Sequence, residues 1–345
     1  MLARIAEAIA REGGWISFAR YMELALHGPQ GYYTSAAPKL GARGDFVTAP
    51  ELGGLFGRTL ARQLKGFPRI LEIGAGSGAL AEVLLKEIEC EYWILETSAE
   101  LRDRQSRRLG GKVRFLDALP RGFRGAIVAN EVLDAMPVHA LAWRDGAIME
   151  RGVAFQNERL SWSEREATGG LRDAAQEIEV PIPYESEVGL IGQAWVRGLG
   201  EVLEEGVAFL VDYGFPRAEY YHPQRSMGTL MCHHRHRSHD DVFFEPGAQD
   251  ITAHVDFSAL AGAAREAGLQ VLGYATQAQF LVNCGLTDVL GEANVENALR
   301  YAPLAAEAQK LLSPAEMGEL FKVLAVGRKV SPLTGFSSGD RSHTL

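Results

Sequence analysis

Cysteine, long apolar runs and positive charge are all scarce in this sequence of 345 residues, and each scarcity excludes a class of protein. Only three cysteines occur, Cys90, Cys232 and Cys284; they lie far apart and form no CxxC pair, so we expect no disulfide framework. No apolar run approaches the ~20 residues of a transmembrane helix, so we expect no membrane span. Basic residues number 35 against 44 acidic ones, and the resulting net charge of -9 argues against general nucleic-acid binding.

The remaining composition is typical of a soluble enzyme. The chain is 47% hydrophobic and 23% charged, which suffices for one large core or one core with a smaller appended domain. Leu2 to Ala10 has an amphipathic helical pattern and lacks both a secretory cleavage pattern and an Arg/Ser-rich transit peptide. We therefore expect a cytoplasmic location, and the acidic balance suits a basic or arginine-bearing partner.

The segment Ile70 to Leu80 predicts a cofactor site. A short apolar strand leads into a glycine-rich turn and then into a helix, an arrangement that brings bare backbone N–H groups and a helix N-terminus against a nucleotide-like ligand. The turn also fits the loose dinucleotide fingerprint G-x-G-x-x-G/A. The residues of the turn that we expect to bind the cofactor are Gly74, Ala75, Gly76 and Gly78.

Glu72, at the tip of that strand, distinguishes between two cofactors. Its carboxylate would repel the pyrophosphate of NAD. It suits the ammonium and sulfonium groups of S-adenosyl-L-methionine, so the sign of this side chain favours a methyl donor over a hydride donor.

Two further acids follow predicted strands. Glu96 stands after Tyr92 to Leu95, at close to the ~20-residue spacing from the glycine turn at which an acid meets ribose hydroxyls. Asp117 follows Val113 to Leu116 and is a candidate acceptor for the adenine amino group. Each acid is alternatively an ordinary solvated loop residue.

The next strand, Ala126 to Ala129, ends in Asn130, Glu131 and Asp134. Ligands of open α/β sheets bind outside the carboxyl ends of the strands, so these side chains should lie where the transferred group meets its acceptor. A structural alternative is that Asn130 caps a helix with Glu131 in its first turn, and both roles are compatible.

Several segments together resemble the MidA-like family of S-adenosyl-L-methionine-dependent methyltransferases, whose mitochondrial relatives are arginine methyltransferases that assist assembly of respiratory complex I. The glycine turn alone is shared by many methyltransferases; the segments Gly44 to Glu51 and Asp250 to Phe257 are more specific. The matching segments in chain order are Ser17 to Met22, Gly31 to Tyr33, Gly44 to Glu51, Leu71 to Gly78, Asn130 to Val138, Asp212 to Gly214, Gly228 to Leu230, Asp250 to Phe257 and Phe321 to Leu324.

The resemblance, together with α/β alternation from Ile70 to Pro137, predicts an α/β fold: the doubly wound, Rossmann-like class I methyltransferase sheet, with an N-terminal helical segment and inserted β-hairpin and helical subdomains. Glu185 to Glu204 is predicted as a helix, and Asp145-Gly146 as a hairpin turn. The expected division is residues 1–66 as the N-terminal helical and loop segment, 67–137 and 186–330 as the methyltransferase domain, 138–185 as a β insertion, 276–312 as a helical insertion and 331–345 as a disordered tail.

The resemblance implies S-adenosyl-L-methionine as cofactor and arginine of a protein as acceptor, with a peripheral-arm subunit of complex I as the candidate partner. Carboxylates can hold a guanidinium bidentately and orient one nitrogen toward the methyl group. Glu131 and Asp134 are the first candidates for that role. Because the two specific segments should fold over the cofactor, Thr48 and Glu51 are further cofactor candidates. The second-rank catalytic candidates are Asp45, Glu51, His254 and Asp256.

Other interpretations of the sequence stay open at this point. One is a methyltransferase for a different acceptor, and another is a cofactor-binding assembly chaperone with little catalysis. A dehydrogenase would bind NAD(H) instead. Oligomeric state is also open, with a homodimer as one alternative.

The histidine-rich segment Cys232 to His239 suggests a metal site at first sight. Its histidines are crowded into one stretch and interrupted by Arg235 and Arg237, unlike the paired ligands of a zinc site. We therefore expect no metal there, and instead a mobile or partner-facing loop near the acceptor cleft.

Overall fold

The structure is a computed structural model that describes residues 1–34, 48–294 and 296–345. Asp45 and the first half of the segment Gly44 to Glu51 therefore lie outside the described residues. The helices are α1 (Leu2–Arg11), α2 (Phe18–His27), α3 (Ala49–Leu52), α4 (Leu55–Leu64), α5 (Ala79–Glu87), α6 (Ala99–Leu109), α7 (Gly169–Gln176), α8 (Leu190–Val202), α9 (Arg217–Tyr220), α10 (Phe257–Glu266), α11 (Gln277–Asn283), α12 (Leu286–Gly291) and α13 (Ala298–Leu312).

The strands form three sheets. They are β1 (Ile16–Ser17), β2 (Arg69–Ile73), β3 (Glu91–Leu95), β4 (Val113–Leu116), β5 (Phe123–Asn130), β6 (His139–Arg144), β7 (Ala147–Gln156), β8 (Arg159–Glu166), β9 (Tyr184–Val188), β10 (Leu203–Phe215), β11 (Met231–His234), β12 (Arg237–His239), β13 (Asp250–Thr252), β14 (Val255–Asp256), β15 (Gln270–Thr276) and β16 (Phe321–Arg328).

The central sheet has the strand order β15-β16-β10-β5-β2-β3-β4, with β14 added to the end of β10. All pairings from β10 to β4 are parallel, whereas β16 runs antiparallel to both β10 and β15. The chain order reverses between β2 and β5, so this is the switch point at which ligands bind in doubly wound folds. The predicted α/β, Rossmann-like fold is confirmed.

Both faces of this sheet are buried because its strands are apolar on both sides. Within β2, Ile70 packs into the core beneath α4, α5 and α11, while Leu71 and Ile73 pack into the core beneath α8 and α10. Two helical layers therefore cover the sheet and leave its carboxyl edge for the ligand.

The second sheet, in the order β1-β7-β6-β9 with β8 on β7, occupies the place of the predicted β insertion. The predicted hairpin turn is present: β6 and β7 are joined by Asp145-Gly146, with Gly146 at φ +79°. The prediction of one helix over Glu185 to Glu204 is wrong at its start, and at its other end β10 already begins at Leu203. Residues 184–188 form β9, because their backbone pairs with β6, and α8 begins only at Leu190.

The N-terminal segment carries α1 to α4 together with the short strand β1, and α2 is capped by Ser17, whose hydroxyl accepts from the N–H of Arg20 at 3.1 Å. The region 276–312 carries α11 to α13. The domain boundaries themselves stay a prediction. Among the described residues, no helix has the length and apolar character needed to cross a membrane.

The expectation of disorder for residues 331–345 is wrong, because this segment packs on the central sheet. Phe336 is buried against Phe280, with ring centroids 5.3 Å apart. The backbone of Tyr274 on β15 bonds the segment twice: its N–H donates to Asp340 at 3.0 Å, and its carbonyl accepts from the N–H of Arg341 at 2.6 Å. A composition rich in Ser, Gly and Thr did not reveal this anchoring aromatic residue.

Candidate functional site

A cleft of about 910 Å³ opens at the carboxyl ends of β2, β3, β5 and β10. The N-terminal segment and the small sheet of β11 to β13 contribute further walls. This volume is in the range of sites for cofactors and drug-sized ligands. The predicted site residues that line it are Thr48, Glu51, Glu72, Gly74, Ala75, Gly76, Glu96, Asn130, Glu131, Asp134 and His254.

The glycine turn forms one wall of the cleft. Gly74 and Gly76 have φ of +67° and +54°, a conformation that glycine adopts without steric cost. A Cβ on Gly74 would also lie 3.1 Å from Val132, so the turn and the loop after β5 approach closely. Gly78 is not among the lining residues; it precedes α5 at φ +80°, a conformation that favours glycine.

Glu72 is a buried acid on this wall. Its Oε2 accepts a hydrogen bond from the Tyr92 hydroxyl at 2.7 Å. Burial raises the pKa of Glu72 to about 7, and the charge of Glu96 adds to this, while the bond from Tyr92 opposes it. A cation placed here would hold the carboxylate ionised.

Glu96 lies at the end of β3 and is held in place from two directions. The N–H of Ser98 donates to Oε1 at 2.9 Å, and Gln105 Nε2 donates to Oε2 at 3.1 Å. Gln105 Nε2 also reaches the carbonyl of Gly76 at 2.9 Å, which ties the acid to the glycine turn. The carboxylate is therefore pre-positioned beside the turn, where ribose hydroxyls are expected.

The structure does not bring Asp117 to the cleft. Its side chain is 90% exposed and pairs with Arg102 at 2.8 Å on the outer surface. The structure therefore places this acid as the solvated loop residue that the sequence left as an alternative. Arg102 draws the side chain outward, and nothing in the local sequence pattern indicates that direction.

The α3 segment approaches the glycine turn from the opposite side. Glu51 accepts a hydrogen bond from the Ser77 hydroxyl, which in turn accepts from Arg108 at 2.8 Å. Thr48 lies directly before α3 and also lines the cleft. These contacts hold the N-terminal segment over the turn.

The loop after β5 carries the acids predicted for the acceptor. No helix begins at Asn130, so the capping alternative is wrong: Glu131 has φ +52°, and its N–H is taken by the carbonyl of Val211 at 2.8 Å. Asn130 Nδ2 donates to Glu131 Oε1 at 3.0 Å. Burial, with the nearby charge of Asp134, raises the pKa of Glu131 to about 8.

Asp134 is 7% exposed and accepts a hydrogen bond from the Tyr213 hydroxyl at 2.7 Å. Burial raises its pKa to about 6, against the opposing effect of that bond. Its Oδ1 has no hydrogen-bond partner among the described residues. A buried oxygen without a hydrogen-bond donor can accept a hydrogen bond from a ligand.

Asp212 fixes this loop from β10 and is a residue that sequence reasoning did not assign. Its Oδ2 accepts from the N–H groups of Leu133 at 2.9 Å and Asp134 at 3.2 Å. Burial and the charges of Asp134 and Glu131 raise the pKa of Asp212 well above its usual range. The matched segment Asp212 to Gly214 was the only sequence signal for it.

His254 lines the cleft behind Asp134. Its backbone N–H donates to Thr229 Oγ1 at 3.0 Å, and its ring stacks on Phe215 with centroids 5.3 Å apart. Burial, together with the charge of Arg225, lowers the pKa of His254 to about 4, so the ring is neutral at pH 7. Asp256, a second-rank candidate, instead caps α10 by accepting from the N–H of Ala259 at 3.1 Å and does not line the cleft.

His27, Tyr33 and Asp250 are among the further lining residues that were missed as site candidates. Tyr33 and Asp250 lie in segments matched to the family, but their meeting across more than two hundred residues depends on tertiary structure. The histidine-rich segment is also not a loop: β11 and β12 form an antiparallel hairpin, and His233 lines the cleft. No group of three or more potential metal ligands occurs in the described part of the chain.

The formal charges on the cleft wall have one sign wherever the structure describes the chain. None of the described lining residues is lysine or arginine. Burial of like charges together is costly, so the cleft favours cationic ligands. The acidic lining residues are Glu51, Glu72, Glu96, Glu131, Asp134 and Asp250.

Comparison with known proteins agrees with this geometry. The family described as "Putative S-adenosyl-L-methionine-dependent methyltransferase" matches residues 55–275. A crystal structure from Burkholderia thailandensis, described as a "likely methyl transferase" bound to S-adenosyl-homocysteine, is 47% identical, with a TM-score of 0.96 over 100% of this chain and 96% of that one.

The curated relatives are less similar in sequence, but the similarity again extends over most of each chain. The Drosophila melanogaster protein arginine methyltransferase NDUFAF7 homolog, mitochondrial, is 28% identical over 97% of this chain and 88% of the fly protein. The Danio rerio protein arginine methyltransferase NDUFAF7, mitochondrial, is 29% identical over 91% of this chain and 83% of the fish protein.

The cleft fits S-adenosyl-L-methionine on its own chemistry. The glycine turn and Glu96 offer a nucleoside site at one end, and Glu72 lies between them and the loop after β5. At the other end, Asn130 Oδ1, Asp134 Oδ1 and His254 Nδ1 are buried without hydrogen-bond partners among the described residues. These atoms are suited to meet polar groups of a cofactor and an acceptor.

Proposed function

Since the chain belongs to this family of S-adenosyl-L-methionine-dependent methyltransferases, we propose that it transfers the methyl group to arginine of a protein partner. The observation that carries the proposal is that the described lining of the cleft contains six acids and neither lysine nor arginine. Glu72 and Glu96 lie at the cofactor end, and Glu131 and Asp134 add two more carboxylates at the acceptor end. A neutral acceptor would leave that second group of acids without a counter-charge.

The chemistry requires little from the protein beyond placement and proton removal. When bound, S-adenosyl-L-methionine supplies a methyl group already activated by its sulfonium. As the N–C bond forms and the S–C bond breaks, the sulfonium becomes a neutral thioether and the guanidinium nitrogen must lose one proton. A carboxylate beside that nitrogen, Glu131 or Asp134, takes this proton and orients the nitrogen.

The raised pKa values of both acids suit this role. A carboxyl with a pKa of about 6 to 8 is a stronger base than an exposed one and lies closer to the working pH. Tyr213 and Asn130 each donate one hydrogen bond to these acids, which fixes their directions before the acceptor arrives.

The finer parts of the proposal concern the partner. The names of the curated relatives support an arginine-bearing protein acceptor, and we propose a peripheral-arm subunit of respiratory complex I as that protein. We also propose a cytoplasmic location. Cell fractionation and co-purification with complex I subunits test these two points directly.

The test of the activity is transfer of labelled methyl from S-adenosyl-L-methionine into a lysate of cells that lack this protein. We expect a labelled protein band that yields methylarginine on mass spectrometry. Glu131→Gln should reduce the rate by about 100-fold or more, the range for loss of a general base, while S-adenosyl-homocysteine affinity stays within about tenfold. Glu201→Gln, an exposed acid on α8, is the matched control.

Other outcomes separate the alternatives. Label on lysine, on a carboxyl group or on a small molecule would contradict the arginine acceptor. Cofactor binding with no labelled product, in the wild-type protein and in both variants, would instead indicate an assembly chaperone.

A further inference from the structure

Asp250, at the start of β13, is a buried carboxylate on the cleft wall that the reaction above does not use. It is 1% exposed. The Tyr33 hydroxyl lies 2.9 Å from Oδ1 and 3.0 Å from Oδ2, and the N–H of Ile251 donates to Oδ1 at 3.0 Å. The carboxylate is therefore fixed in direction by residues from two distant parts of the chain.

The same parts of the chain also hold the loop that carries Asp134. The His27 ring stacks on Tyr33 with centroids 5.4 Å apart, and its Nε2 lies 3.1 Å from the carbonyl oxygen of Ala135. From the other side, the N–H of Ala253 donates to the carbonyl of Asp134 at 3.0 Å. The spacing between the two carboxylates is thus set by packed residues.

Asp134 and Asp250 line the same cleft as Tyr33, whose hydroxyl contacts Asp250 directly. Burial raises the pKa of Tyr33, and the charges of Asp250 and Asp134 raise it further. Asp134, at 7% exposed, also has Oδ1 without a hydrogen-bond partner among the described residues. An unpartnered acceptor oxygen in a cleft that holds a second fixed carboxylate suits a ligand with several N–H donors.

We propose that Asp134 and Asp250 bind the acceptor guanidinium from two sides, and that Asp250 thereby selects arginine over lysine. This inference rests on the proposed function. A planar guanidinium presents five N–H donors on three nitrogens, all in one plane. Two carboxylates can therefore bind N–H groups from two sides within that plane, while the face of a terminal nitrogen stays open to the methyl group. An ammonium group is a compact point charge without that fixed fork, so it gains less from the second acid.

The test uses binding, which does not depend on turnover. The peptides Gly-Arg-Gly and Gly-Lys-Gly are titrated into full-length protein saturated with S-adenosyl-homocysteine. The wild type should bind the arginine peptide more tightly than the lysine peptide. The Asp250→Asn substitution preserves the shape of the side chain and an acceptor for Tyr33. It should weaken binding of the arginine peptide by about 10- to 100-fold, the range for one charge-assisted hydrogen bond. Binding of the lysine peptide should weaken by less than about threefold.

Two controls guard against a folding defect. Asp240→Asn, at an exposed acid before β13, should bind both peptides as the wild type does. The affinity of each variant for S-adenosyl-homocysteine should be unchanged. Tyr33→Phe keeps the Asp250 carboxylate and removes the Tyr33 hydroxyl that donates to it. This variant should therefore lower the arginine-to-lysine affinity ratio by less than Asp250→Asn does.

The outcomes are distinguishable. If the wild type prefers arginine and Asp250→Asn preserves that preference, the role of Asp250 is refuted while the arginine acceptor stands. If the wild type binds both peptides equally, or neither, the arginine acceptor fails and this inference fails with it.

Discussion

The pH dependence of cofactor binding follows from the buried acid Glu131, whose pKa is raised to about 8. A raised pKa means that the carboxyl is mostly neutral at pH 6 in the ligand-free protein. A cation in the cleft favours the ionised form, so binding of S-adenosyl-L-methionine should release a proton and strengthen as pH rises. S-adenosyl-homocysteine lacks the sulfonium charge and should show a smaller rise.

The magnitude follows from the ionised fraction. With a pKa of about 8, Glu131 is about 1% ionised at pH 6 and about half ionised at pH 8. If the complex holds it ionised throughout, this one group strengthens binding about 50-fold between the two pH values. Glu72, with a pKa of about 7, adds a rise of its own that does not depend on Glu131.

The assay is calorimetric titration of both ligands at pH 6, 7 and 8 and constant ionic strength. The Glu131→Gln variant should lose most of the 50-fold increase in affinity for S-adenosyl-L-methionine between pH 6 and pH 8. It should keep the increase that comes from Glu72. The exposed-acid control Glu201→Gln should follow the wild type. Equal pH dependence in the wild type and Glu131→Gln would refute the reasoning, because the sulfonium would then not interact with this carboxylate.

Four further outcomes are expected. Tyr92→Phe removes the donor that stabilises ionised Glu72, so calorimetry at pH 7 should show S-adenosyl-L-methionine bound about tenfold more weakly; unchanged affinity would contradict the contact. Phe336→Ala should cost about 3–5 kcal/mol in urea unfolding, and a loss below about 1 kcal/mol would mean that the C-terminal segment is not packed. Asp117→Ala should leave the dissociation constant of S-adenosyl-L-methionine within about threefold, since this acid points to solvent. The folded protein holds the proton of Glu131 more tightly than the unfolded chain does, so raising the pH should destabilise the fold. Between pH 6.5 and 8.5, the melting temperature of the ligand-free wild type should therefore fall further than that of Glu131→Gln. Equal decreases in differential scanning fluorimetry would argue against the raised pKa.

Local features of the chain were predicted well from the sequence. The apolar strand, glycine turn and helix start from Ile70 to Leu80 lie within eleven consecutive residues, so their geometry depends mostly on their own side chains and backbone. The acids at the ends of strands line the cleft because the carboxyl ends of parallel strands share one edge; they are Glu72 within β2, Glu96 after β3 and Glu131 after β5.

Predictions that depended on neighbours in space were less successful. Residues 184–188 have no isolated preference strong enough to separate them from the following helix, and they form a strand because β6 is available to pair with them. The side chain of Asp117 turns outward because Arg102 lies on the outside. The last fifteen residues are ordered because a pocket beside β15 accepts Phe336.

The sequence by itself determined the strand, turn and helix start from Ile70 to Leu80 and the cofactor class, because both depend on residues near one another in the chain. Tertiary structure alone decided which acids lie together at the acceptor end. Asp134, Asp212 and Asp250 come from three separate segments, and Tyr33 reaches Asp250 from the N-terminal region. Their burial raises pKa values and fixes directions, and burial is a property of the packed fold that no short stretch of sequence contains.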